Sequence, residues 1–103
     1  MYKIATFVNL ESVAQVKEAM FEAGAGKIGD YDHCCFETKG FGQFRPLKGA
    51  NPYIGEENKV EVVEEVKLEM VVADDMIRKV VEALKLAHPY ETPAYDVIKL
   101  EEL

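Results

Sequence analysis

Between Val60 and Val72 the chain alternates with a period of two. Val60, Val62, Val66, Leu68, Met70 and Val72 share one parity, broken only by Glu64, and Glu61, Glu65, Lys67 and Glu69 share the other. Side chains alternate across a strand, so this is the pattern of a long strand with one apolar and one charged face. Such a strand suits an antiparallel sheet packed on one side. The charged face is expected in solvent, with part of it available to a neighbouring subunit.

Two other stretches have helical spacing. Val13, Val16, Met20 and Ala23 fall on one helical face, so a helix is expected to run to about Ala23. Ser12 and Gln15 have the spacing of a capping box, and Gly24 is placed to end the helix in a left-handed conformation. Ile77, Val80, Val81, Leu84 and Ala87 form the second stripe, with Asp74 and Asp75 as N-cap and first-turn charge. Pro89 cannot continue a helix, which should stop near His88.

Strands are expected over Tyr2–Asn9, Tyr31–Thr38 and Tyr95–Leu100. Gly40-Phe41-Gly42 reads as a hairpin turn into a short third strand that ends at Pro46. Gly49 to Asn58 is rich in turn formers and lacks regular pattern, which marks it as a loop suited to ligand contact. Without the short strand, the order is two strand–helix–strand units. Right-handed crossovers place both helices on one face of a four-stranded antiparallel sheet, an α+β, ferredoxin-like arrangement with an elaborated central hairpin.

The totals narrow the function classes. At 103 residues, 49% apolar and 30% charged, residues 1–103 make one globular domain. The formal charge of −7 repels phosphate backbones and argues against nucleic acid as a partner. No apolar run approaches the roughly 18–20 residues that cross a bilayer. The first residues read directly as a strand rather than a signal peptide, so no membrane partner and a cytoplasmic location are expected. Cys34 and Cys35 are adjacent, where a bridge would close a small strained ring, so both are expected as reduced thiols.

Three patches could carry chemistry. The glycines at 24, 26 and 29 follow a helix instead of opening one, so they fit a C-cap and tight turn better than a phosphate cradle. On a strand over Tyr31–Thr38, Cys34 beside Phe36 would pack in the core. His33 and Cys35 would share the more polar face and converge as imidazole and thiolate, a pair suited to zinc or copper. His88, Glu91 or a neighbouring subunit would have to complete that metal site. As a purely structural turn, His88 would cap the helix carbonyls, Tyr90 and Tyr95 would bury their rings, and Glu91 would accept backbone N–H bonds. A His–Glu pair can transfer protons, but no nucleophile accompanies it and no catalytic residue is assigned.

The Ala23–Tyr31 turn, Cys34, the Gly40–Pro46 segment, Gly49–Pro52, Ile54-Gly55, His88–Glu91, Pro93 and Tyr95-Asp96 together resemble a YqfO-type (NGG1-interacting-factor-like) domain, with nearly the whole chain covered. That domain is inserted into larger bacterial hydrolase-like proteins and also occurs alone. The His-Pro-Tyr-Glu turn is similar to one in the CutA divalent-cation-tolerance proteins. Both groups are PII-like, with folds of the ferredoxin-like kind, and many form trimers. The resemblance implies a homo-oligomer with this turn at a subunit boundary, and a non-enzymatic protein that binds a small ligand or divalent metal ion. The dinuclear metal site and hydrolase or GTP-cyclohydrolase activity of the larger proteins belong to a flanking domain without counterpart here. An alternative is a small-molecule or nucleotide sensor that regulates a protein partner through the central loop, with Arg45 and Lys48 meeting an anionic ligand.

Overall fold

The computed structural model describes all 103 residues. Strand β1 spans Tyr2–Asn9, helix α1 Val13–Glu22, β2 Phe36–Phe44, β3 Glu61–Val72, α2 Ile77–Ala87 and β4 Tyr95–Lys99. The four strands form one antiparallel sheet in the order β2-β3-β1-β4. This is the expected ferredoxin-like α+β arrangement. Ile4 and Val8 of β1, Leu68 and Val72 of β3, Val16 and Met20 of α1, and Val80 and Leu84 of α2 are fully buried in one core. Both helices lie over a single face of the sheet, and their apolar stripes supply its cover.

The expected short third strand is not a separate element. Gly40, Phe41 and Gly42 lie inside β2 and pair with Glu65, Glu64 and Val63 of β3. The long apolar parity of β3 offers a partner edge throughout, so β2 continues across the glycines instead of turning. The hairpin closes later, through residues 45–60. Its tip extends beyond the helices, in a molecule 46 Å long and 24 Å across. The β3 alternation therefore divides: Val66, Leu68, Met70 and Val72 are buried, but Val60 and Val62 are each 58% exposed.

Tyr31–Cys35 is not strand. Ile28 and Tyr31 exchange a pair of backbone hydrogen bonds, and His33 has φ 55°. The Gly26 N–H donates to Val71 O of β3 at 2.8 Å, and the Cys34 N–H donates to Gly26 O at 2.9 Å. The connector thus occupies the edge of β3 ahead of β2, and the even alternation expected for His33, Cys34 and Cys35 is lost. Cys34 is half-buried outside the core, and its thiol lies 3.6 Å from Asp32 O.

Helix ends also differ from expectation in chemistry. Ser12 is buried in a 3-10 turn over Leu10–Ser12 and makes no capping bond. Gln15 instead donates its Nε2–H to Ala87 O at 2.7 Å, which ties α1 to the last turn of α2. Asp74 binds the Met1 amine and, at 2.8 Å, Lys99, leaving α2 without a side-chain cap. These contacts, Lys99 first, hold the Asp74 carboxyl below its ordinary range. The end of α1 is as expected: Gly24 has φ 116°, Ala25 N–H donates to Met20 O and Gly24 N–H to Phe21 O, each at 3.0 Å. Those two bonds form a Schellman motif.

Candidate functional site

The turn after α2 is built around a buried imidazole. His88 has extended ψ 131°, as a residue before proline prefers, and its side chain points back into the fold at 5% exposure. Nε2 lies 2.8 Å from Phe7 O of β1, and the Tyr90 N–H donates to Nδ1 at 3.2 Å. A carbonyl can only accept and an N–H can only donate, so the ring is the neutral Nε2–H tautomer. Burial pushes its pKa down, against smaller opposing effects of the Phe7 hydrogen bond and Glu65. His88 therefore caps no helix carbonyl through its side chain. It joins the turn to β1, with both nitrogens in use.

Tyr90, fixed by that bond, extends its hydroxyl to Glu65 Oε2 at 2.7 Å. Burial and the Glu65 carboxylate both hold the phenol well above its ordinary pKa, so it remains a neutral donor. Glu65 is on the formally charged parity of β3 yet only 8% exposed. Gly42 on β2 makes room for it: a Cβ there would lie 1.9 Å from Glu65 Oε1. Across the sheet, Glu65 faces Asn9, whose Nδ2–H donates to Glu11 at 2.9 Å and whose buried Oδ1 lacks a protein partner.

Glu91 reaches the other way. Its Oε2 accepts the Asn51 N–H at 3.1 Å and so ties the middle of loop 45–60 to the turn after α2. Asn58 N–H donates to Pro46 O at 2.7 Å and closes the base of the same loop. Between loop, hairpin and turn lies a cavity of about 460 Å³, with Phe7, Phe44, Tyr53, Glu65, Tyr90 and Glu91 among its walls. Tyr90 stands 6.4 Å from the Phe44 ring and 6.2 Å from the Tyr53 ring, making an aromatic corner.

The residues singled out for metal binding do not form one donor set. His33 lies 3.2 Å from Asp32 and 3.7 Å from Glu18, with its ring against Phe21. Cys35 is exposed, and partial burial raises its thiol pKa against the opposing effect of the nearby Lys17. His88 is committed to Phe7 and Tyr90, and Glu91 to Asn51. No group of three or more His, Cys, Asp or Glu side chains is placed to hold a metal ion. Arg45 and Lys48 are exposed and do not line the cavity. Sequence reasoning missed Glu65, Phe44 and Tyr53. The available signal for Glu65 was a glycine inside a strand, Gly42, which marks the close approach of another group.

No family model matches the chain. Among curated proteins it is 47% identical over 100 residues to a GTP cyclohydrolase 1 type 2 homolog of Halalkalibacterium halodurans and 45% identical to that of Bacillus subtilis. Each alignment covers 97% of this chain but 27% of the relative, so the chain spans about a quarter of their length. A Bacillus cereus protein related to NIF3 superposes with TM-score 0.84 at 40% identity, over 98% of this chain and 26% of that one. CutA1 from Pyrococcus horikoshii superposes with TM-score 0.71 at 19% identity, over 100% of this chain and 86% of that one, and shares the fold. The PII-like protein CutA from Nostoc sp. PCC 7120 gives TM-score 0.70 at 20% identity, over 98% of this chain and 82% of that one. No helix is long and apolar enough to cross a membrane. The chain is a YqfO-type domain, homologous to about a quarter of each of those longer proteins, and it has the same fold as CutA.

Proposed function

We propose that the chain is a non-enzymatic binding module that holds a small ligand in the cavity beneath loop 45–60. The observation that carries this reading is the Asn51–Glu91 bond, which draws the loop across a cavity of about 460 Å³. That volume falls in the range of about 300–1,000 Å³ typical of small-molecule sites. The cavity walls contain no cysteine, serine, histidine or lysine, and their one hydrogen-bonded hydroxyl–carboxylate pair, Tyr90 with Glu65, has a phenol held well above its ordinary pKa and so poorly suited to act as a nucleophile. On this reading, cyclohydrolase chemistry in the longer relatives belongs outside the matched segment. A ligand against Tyr53 or Glu91 would also touch the loop's anchor, which favours a sensor role as the second reading: occupancy would change what the loop presents to a protein partner.

The test is a thermal-shift survey of metabolites on the wild-type chain and on Gly42→Val. The new side chain would collide with Glu65 and intrude on the cavity. At least one compound should raise the melting temperature of the wild type and lose that effect in the variant. An equal shift in both would remove the cavity from the site.

The module is a homo-oligomer in this reading, a trimer as the PII-like resemblance implies, and cytoplasmic, in keeping with two free cysteines. The sheet face away from the helices carries Phe36 at 68% and Ile98 at 57% exposure, and the hairpin arm adds Phe41 at 78%. An uncovered apolar surface of this kind favours association. Light scattering at micromolar concentration should give three times the chain mass; a monomer mass would sink the proposal.

A further inference from the structure

The walls of the cavity have one sign of charge. Glu65 and Glu91 are its only ionisable side chains besides tyrosines, and no lysine or arginine lines it. Neither carboxylate is engaged in an ion pair with a lysine or arginine elsewhere in the chain. Each has a single hydrogen-bond donor, Tyr90 O–H on Glu65 Oε2 and Asn51 N–H on Glu91 Oε2, which leaves one oxygen of each free to accept. The space left by the missing side chain at Gly42 is taken by Glu65 Oε1 itself.

Aromatic rings supply the rest of the wall. Phe44 and Tyr53 each stand near Tyr90, tilted from it by 48° and 37°. The face of an aromatic ring is the negative end of its quadrupole and attracts cations, most strongly where water is excluded. Tyr90 has already given its proton donor to Glu65, so the corner is richer in acceptors than donors. An anion entering here would meet two carboxylates and no cation. A bare metal ion would find only two carboxylates here, where calcium and magnesium take about six oxygens and zinc about four ligands. The net charge of −7 draws cations towards the surface in general.

We infer that the cavity beneath loop 45–60 takes a small organic cation, a protonated or quaternary amine with an apolar group, seated between the Phe44–Tyr90–Tyr53 rings and the Glu65 and Glu91 carboxylates. This rests on the cavity being the ligand site and assigns its chemical class. The ammonium meets the carboxylates and ring faces, and its alkyl groups displace water from the apolar wall. Its charge is opposite to that of the anion expected at Arg45 and Lys48, which lie outside the cavity walls.

The experiment is a calorimetric titration of the intact chain with three probes of nearly one shape: choline, its neutral isostere 3,3-dimethylbutan-1-ol, and the anion 3,3-dimethylbutanoate. Choline should bind about tenfold or more tightly than the neutral alcohol, as cation–π and charge attraction together require. Glu65→Gln keeps the shape and an acceptor for Tyr90, and should reduce that preference to less than about threefold. Tyr53→Leu should weaken choline more than the alcohol. If the alcohol or the anion binds as well as choline, the cationic class is overturned while the cavity remains a ligand site. If none of the three binds at millimolar concentration, the inference also fails, and the metabolite survey decides separately whether the cavity binds anything.

Discussion

Gly26→Ala is expected to destabilise the chain by roughly 2–4 kcal/mol, a large part of the total for a domain of this size. Gly26 has φ 79°, where a Cβ costs about 1–2 kcal/mol. An added Cβ would also lie 2.8 Å from Cys34 O and 2.7 Å from the Phe21 ring. The carbonyl is backbone, and the segment that carries it is held by the Cys34 N–H···O Gly26 bond at 2.9 Å, so relief means moving the connector off β3. Gly29→Ala is the matched control. Gly29 has φ 56° but nothing within 4 Å of its Cβ position, so that change should show the conformational cost alone, about 1 kcal/mol. Urea denaturation midpoints measure both. Equal losses would mean that the connector is not packed as described.

His88→Ala should cost about 2–4 kcal/mol, since it empties a buried site and leaves Phe7 O and the Tyr90 N–H without partners. The same residue sets a pH dependence. Its pKa in the fold lies below the ordinary value of 6.5, so between the two the unfolded chain binds more protons than the folded one. The stability of the neutral ring is fully present above pH 6.5 and is lost as pH falls from there through the folded pKa. Unfolding free energies measured across pH 5–8 should decline on the acid side of this range in the wild type, with a shallower slope in His88→Gln. Identical slopes would show that His88 titrates in the fold as it does in the unfolded chain.

The architecture was legible because its signals repeat. The parity of Val66, Leu68, Met70 and Val72 and the stripe of Val80 and Leu84 each recur over several residues, so local exceptions do not hide the period. Gly24 was legible as a stop because its left-handed turn is a local requirement. The readings that failed depended on a partner distant in sequence. Ser12 and Gln15 have capping-box spacing, but Gln15 finds Ala87 O, 72 positions away. Gly40 and Gly42 are common turn residues, and only the position of Glu65 on the adjoining strand shows why glycine is needed inside β2. His33 and Cys35 alternate on paper, but the left-handed backbone at His33 removes that geometry. For the candidate site, the His88–Glu91 turn was evident, whereas its counterpart on β2, β3 and the loop was not, because the parity that marks Glu65 as solvated ignores what folds over it.

The edge pairing that brings Tyr2 opposite Lys99, with Leu100 N–H bonded to Met1 O at 2.9 Å, puts the entry and exit of this fold side by side. A domain with adjoining ends can be spliced into one surface loop of a host with little separation of the host's flanking residues. Such a graft leaves the cavity's loop and hairpin untethered by the junction, since neither contains a terminus. Joined to a host at both ends, the same architecture would keep its strand pairing and change only the charged contact of the Met1 amine with Asp74.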